Sequence, residues 1–221
     1  MRNGYAKQFR RRLIQLKEEL IADSSMNARL SEQLDKCNET LLADARKKRM
    51  TNNIIQAMAS LIVAKYMLQN DYTVKMEQPL PNKREILVCD LFCTRGRLTE
   101  IIEVESGNIP SYNILKNGIT PEEYQEGRLI GKIARYSQFS NFFDIAFSAT
   151  PPPNMDIVLP IVEYFHQDYR LREGGKTKLY LGKANALYDD PQIEAKQIIT
   201  SRLDNFYFVD IRKKEVERIR I

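Results

Sequence analysis

Residues 84–106, REILVCDLFCTRGRLTEIIEVES, limit the possible folds of this chain more than any other stretch. Two β-forming runs flank the turn sequence TRGR at 94–97, and Gly96 supplies the conformational freedom that a tight hairpin needs. The first run is almost continuously apolar, as in a strand buried on both faces. Acidic residues nevertheless stand inside both runs: Asp90 near the end of the first, Glu103 and Glu105 within the second. Side chains alternate faces along a strand, so Glu103 and Glu105 project together, about 6–7 Å apart, while Val104 points oppositely into the core. Antiparallel pairing about the turn sets Asp90 level with residues 101–103, with opposed Cβ atoms about 5 Å apart. Carboxylates crowded this way repel one another and titrate high unless a cation neutralises them. Mg²⁺ and Mn²⁺ are hard ions that favour carboxylate oxygens. A solvent-facing strand is the other explanation for such acids. It suits Glu105, near the strand's end, better than Glu103, which lies between Ile102 and Val104.

The N-terminal fifth has a different pattern. Residues 5–49 contain neither Pro nor Gly, and Leu13, Leu16, Leu20, Asp23, Asn27, Leu30, Leu34, Cys37 and Leu41 recur in alternating steps of three and four. That is a heptad seam. It predicts a long coiled-coil helix over 1–50 that joins two copies into a homodimer, preceding an α/β domain over 51–221. Asp23 and Asn27 interrupt the seam. They leave a second arrangement open, a broken helical hairpin folded back on its own domain.

Beyond the seam, apolar spacing predicts a helix over about 52–70, with Ile54, Ile55, Met58, Ala59, Ile62 and Tyr66 on its face. A short alternating strand, YTVKMEQPL, follows, and PNK at 81–83 makes a turn. Thr120, Pro121 and Glu123 form a capping box at the start of a helix running through YQEGRLIGKIARYSQFSNF. FDIAFSA is a strand halted by TPPP at 150–153. MDIVLPIVEYF fits strand or helix, KLYLG reads as a short strand, DPQIEAKQIITSRL as a helix capped by Asp190 with Pro191 in its first turn, and FYFVDI as a final strand. This order predicts a layered α/β fold with a mixed central sheet flanked by helices.

The net charge of +5 is compatible with a polyanionic partner without requiring one. Three cysteines, Cys37, Cys89 and Cys93, have no framework spacing and read as buried free thiols in a reducing compartment. The charged N-terminus does not read as a secretory signal. No stretch approaches the ~20 apolar residues of a membrane span. The expected location is the cytoplasm, with no membrane partner. Lone His166 reads as a surface residue at an element end. Tyr112, Tyr136 and Tyr188 suit base stacking or ordinary packing equally.

Helix, YTVKMEQPL, ILVCD, hairpin and IIEVES together resemble the core of the PD-(D/E)xK nuclease superfamily over roughly residues 52–150. RLIGKIARYSQFS and EVESG are also similar to nuclease-like proteins of archaea and their viruses. The resemblance implies a restriction-endonuclease-like core and a Mg²⁺- or Mn²⁺-dependent nuclease. In it Asp90 and Glu103 are the metal-binding acids, and the Val104 carbonyl is a further ligand. Two positions depart from the pattern: Cys89 stands where Pro is usual, and Glu105 where Lys is usual. Some relatives carry Glu on the preceding helix, where this chain has Asn53, Gln56 and Ser60. Glu77 on the first strand is a candidate outer acid. Arg128, Lys132 and Arg135 share a face of the crossing helix, so Lys132 is the candidate to replace the missing lysine. All three would hold a nucleic-acid backbone, DNA by expectation, unless they form a merely solvated stripe. Glu105 would assist as ligand or base. Two other functions stay open: a nuclease-like fold without catalysis that binds DNA or assembles, and a structural oligomer built on the coil.

Overall fold

The computed structural model describes residues 2–47, 54–81, 86–106, 118–149, 152–172, 174–187 and 193–220. Six strands form one mixed sheet in sequential order: β1 (Thr73–Leu80), β2 (Leu87–Arg95), β3 (Leu98–Glu105), β4 (Phe142–Ser148), β5 (Asn205–Asp210) and β6 (Glu215–Arg220). β1–β2–β3 is an antiparallel meander, β4 and β5 continue it in parallel, and β6 closes the edge antiparallel. Seven α-helices cover the two faces among the described residues: α1 (Arg2–Ile21), α2 (Ala28–Lys47), α3 (Ile54–Gln69), α4 (Pro121–Tyr136), α5 (Met155–His166), α6 (Gly175–Asn185) and α7 (Ala195–Thr200). No described helix is long and apolar enough to cross a membrane. The expected α/β class and mixed sheet are therefore present.

The N-terminal expectation needs correction. The single long helix is two helices, and the polar residues that interrupted the heptad pattern build the turn between them. Asn27 Oδ1 accepts from the Leu30 amide at 3.0 Å, capping α2. Asp23 Oδ1 accepts from the Ser25 amide and hydroxyl, and Asp23 Oδ2 pairs with Lys65 of α3. Leu13, Leu16, Leu20, Leu34, Cys37 and Leu41 are buried together with α3 and the sheet residues Leu91, Ile102 and Val104. α3 itself is apolar on nearly every side, which a helix tolerates only when covered all round. The hairpin covers one side of α3 and the sheet the other. Leucines used this way are not displayed as a coil, so the homodimer expected through residues 1–50 loses the surface it was to use. The buried residues of α1 and α2 share one core with α3 and the sheet.

α4 begins as expected: Thr120 Oγ1 accepts from the Glu123 amide, and Glu123 Oε2 accepts from the Thr120 amide. Gly127 lets α4 approach α6, since a Cβ there would meet the Lys183 carbonyl oxygen. Three readings of the C-terminal half resolve differently. MDIVLPIVEYF lies in α5, opened by the Asn154 side chain. KLYLG is not a strand but part of α6, where Thr177, Tyr180 and Ala184 recur at helical spacing and are buried. The helix expected from Asp190 is only α7, capped by Glu194 with Gln197; Asp190 and Pro191 lie outside the described residues. The PNK turn largely does too. β6 was not anticipated. Buried Arg172 ties this half together by donating to the carbonyls of Phe165 and Gln167 at the end of α5 and of Ile199 and Ser201 at the end of α7. A cation at two helix C-termini satisfies carbonyls that have no partner within the helix.

The three cysteines are buried and free. His166 is the exposed last residue of α5, at an element end as expected.

Candidate active site

The sheet is creased at Asp90. Pairing of β1 with β2 passes from Met76↔Leu91 to Gln78↔Cys89, skipping Glu77 and Asp90. Glu77 there adopts φ +48°, a left-handed conformation that is uncommon outside glycine. On one side of the crease Met76, Leu91 and Cys93 pack with α1–α3; on the other Leu80, Leu87 and Cys89 pack with the opposite cluster. The β2–β3 ladder also ends here, its last pair being Leu91↔Ile102. Side chains continue the pairing where the backbone stops. The Asp90 amide donates to Glu103 Oε1 at 3.0 Å, and the Val104 amide donates to Asp90 Oδ2 at 2.7 Å. The hairpin thus brings Asp90 and Glu103 together, as the spacing predicted. Its loop is Gly96–Arg97, with Gly96 at φ +62°.

α4, crossing behind β3, sends two cations onto the acids. Lys132 Nζ lies 2.6 Å from Glu105 Oε1, 3.0 Å from Glu103 Oε2, 3.3 Å from the Val104 carbonyl oxygen and 3.6 Å from Asp90 Oδ2. Arg128 Nε meets both Glu105 oxygens at 3.1 and 3.2 Å. The spacing of four residues on one helical face accounts for this convergence. It also corrects one alternative, since Arg128 and Lys132 are not a solvated stripe. Lys132 is only 13% exposed and faces the carboxylates. Arg135 is half-buried one turn further on.

Burial and Asp90's charge push the Glu103 carboxyl up to about 8, even with Lys132 beside it. Burial acts the same way on Glu105, but Lys132 and Arg128 outweigh it and hold that carboxyl below its usual range. Lys132 is driven well above the ordinary ammonium value: burial opposes its charge, and Glu105, Glu103 and Asp90 overcome that. Within one pocket, then, one carboxyl is raised and its neighbour two residues along is lowered. Such divergent pairs are typical of acid–base sites.

Two residues of the surround carry weight that the sequence only hinted at. The Gln56 amide on α3 lies 3.3 and 3.4 Å from the two Asp90 oxygens. Tyr136 donates to the Val88 carbonyl at 3.3 Å, anchoring α4 over β2; its ring serves packing. Asn53, Tyr112 and Tyr188 lie outside the described residues. Ser60 is buried and bonds back to the Gln56 carbonyl. A second buried acidic group, not foreseen, faces α1–α3. Tyr207 donates to Glu100 Oε1 at 3.0 Å, and Asp144 accepts from the Asn205 amide at 2.9 Å. Burial, with Glu100 close by, raises Asp144 well above a normal carboxyl. It stands on the opposite sheet face from the trio.

Among the described residues, no three His, Cys, Asp or Glu side chains form a group able to hold a metal as they stand. The fit of a cation rests on a different observation. One ammonium sits among the oxygens of Asp90, Glu103 and Val104, the set expected to ligate Mg²⁺ or Mn²⁺, with Glu105 added. A hard cation suits oxygens that already gather round a positive charge.

No protein-family model matches the chain, and no curated protein or solved structure matches it significantly.

Proposed function

We propose that this protein is a nuclease that hydrolyses phosphodiester bonds in DNA with Mg²⁺ or Mn²⁺ held by Asp90, Glu103 and the Val104 carbonyl. The single observation that carries the reading is the convergence of Asp90, Glu103, Glu105 and Lys132 at one end of the β2–β3 hairpin. The succession α3, meander, crossing helix, parallel strand supports a restriction-endonuclease-like core. When bound, the cation would polarise a phosphoryl oxygen and make its bound water more acidic. Asp90 is oriented by the Val104 amide and by Gln56, so its carboxylate is positioned before substrate arrives. Lys132 supplies, from the helix, the positive charge that Glu105 displaces from the strand, and it can stabilise charge developing on the phosphate. Glu105 keeps Lys132 protonated and aligned. Arg128, more exposed than Lys132, is suited to the nucleic-acid backbone, with Arg135 further along α4. Such contacts give affinity without sequence reading. Free buried thiols accord with a reducing compartment such as the cytoplasm.

The experiment is cleavage of plasmid and labelled duplex with Mg²⁺ or Mn²⁺, beside Asp90→Asn and Glu103→Gln. Each variant should lose at least roughly a hundredfold in rate, since each removes a group aimed at the reacting centre. Full activity in Asp90→Asn would refute the assignment. A second reading has one observation in its favour, the lysine already seated among the metal's oxygens. It makes the chain a non-catalytic module that binds DNA. Retained DNA binding without cleavage in any divalent metal would select it.

A further inference from the structure

Lys132 stands where a cation belongs. Its ammonium touches the carbonyl and the two carboxylates assigned to the metal, and a third carboxylate as well. Its nitrogen–oxygen distances of 2.6–3.6 Å are those of a charge-assisted cluster. Mg²⁺ requires about 2.0–2.1 Å to each oxygen. Ammonium and metal cannot share this space, because each needs the same Glu103, Asp90 and Val104 oxygens. The charges lead to the same place. With all three carboxylates ionised, Lys132 and Arg128 leave one unit of negative charge; without the ammonium the surplus is two units, which matches a divalent ion. Asp90, Glu105 and Lys132 each keep a small exposed fraction, so the pocket opens to solvent. The lysine stem has four rotatable carbons along which the charge can leave.

We infer that Lys132 is a resident counter-ion which a divalent cation displaces from Asp90, Glu103 and Val104, so that metal loading and lysine release are one event. The inference rests on the metal-dependent reading above and adds a competition to it. The released ammonium stays on α4 beside the pocket mouth, within reach of a phosphate. Nucleic acid and metal therefore bind with mutual reinforcement, each favouring the lysine-out state. The free protein binds metal weakly because its own side chain competes.

Two measurements test this. The first is Mn²⁺ binding, followed by the loss of the free-ion electron paramagnetic resonance signal, in the wild type, Lys132→Met and Asp90→Asn. Lys132→Met should bind Mn²⁺ roughly tenfold more tightly than the wild type, a coupling of ordinary size between linked sites. The second uses only the wild-type chain, in case Lys132→Met folds poorly. Amines are acylated briefly with and without Mn²⁺, and the extent at Lys132 is read by peptide mass spectrometry. Mn²⁺ should increase labelling at Lys132 and leave an exposed lysine such as Lys36 unchanged. Asp90-dependent Mn²⁺ binding that is equal or weaker in Lys132→Met, or Lys132 labelling that Mn²⁺ leaves unchanged while it binds, overturns the inference and leaves the nuclease reading standing. Absence of Asp90-dependent binding in both proteins overturns the metal reading itself, and this inference with it.

Discussion

Lys132 Nζ and Glu105 Oε1 are 2.6 Å apart, joining the crossing helix α4 to the third strand β3. Exchanging the two charges tests how tightly they are coupled. Glu105→Lys alone would crowd Arg128 and Lys132 with a third cation, and Lys132→Glu alone would add a fourth acid to three. Each single variant should be clearly less stable than the double exchange. A double-mutant cycle by urea unfolding should give a coupling of about 0.5–3 kcal/mol, the span found for residues in one charged network. Additive losses would mean that the contact contributes nothing of its own.

Gln56 keeps a neutral amide against Asp90. Gln56→Glu brings a further carboxylate to the same place. Without divalent ions the protein should lose about 1–3 kcal/mol, the scale for a buried polar group set against an unfavourable partner. Added Mg²⁺ should raise its melting temperature more than that of the wild type. Equal Mg²⁺ shifts in the two proteins, measured by scanning calorimetry, would place Gln56 outside the cation's influence.

Glu103 and Asp144 both hold protons more firmly folded than unfolded. Glu103 moves from an ordinary value of 4.5 to about 8, and Asp144 rises well above 3.8. Between roughly pH 5 and 8 the native state therefore binds more protons than the unfolded chain, and stability falls as pH rises. For Glu103 the penalty is absent below its unfolded value and complete above about 8. Melting temperatures in chelator should decline across this window, and Glu103→Gln and Asp144→Asn should each flatten the decline. Mg²⁺ should stabilise more at pH 8 than at pH 6, because it needs the ionised form. A rising profile between pH 5 and 8 would contradict both assignments.

Leu13 and Leu34 are fully buried within the chain's own core. Truncating either to Ala should cost about 2–5 kcal/mol, as for other buried leucines. The solution mass by light scattering should be unaffected. A mass that halves on truncation would mean that these leucines hold two copies together.

The meander was legible because alternation, a glycine turn and misplaced acids all pointed one way. Lys132 was legible because helical spacing puts it on the same face as Arg128. The fate of the N-terminal seam was not, since a heptad stripe looks the same whether its partner is a second copy or α3. Asp23 and Asn27 held the decisive signal as turn and cap residues. KLYLG misled because two leucines alternate across a segment whose buried positions, Thr177, Tyr180 and Ala184, follow a longer period. β6 escaped notice because EVERIR mixes charge with isolated apolar residues, as a solvated edge strand does. The pairings of Gln56 with Asp90 and of Tyr207 with Glu100 join segments 34 and 107 residues apart, and no local pattern encodes such meetings.

Arg172 reaches the last carbonyls of both α5 and α7, and a guanidinium cannot release one set without stranding the other. Backbone amides of these two helices should therefore exchange with deuterium at a common rate, opening as one cooperative unit although nearly thirty residues separate them. The C-terminal third would then yield to a protease all at once.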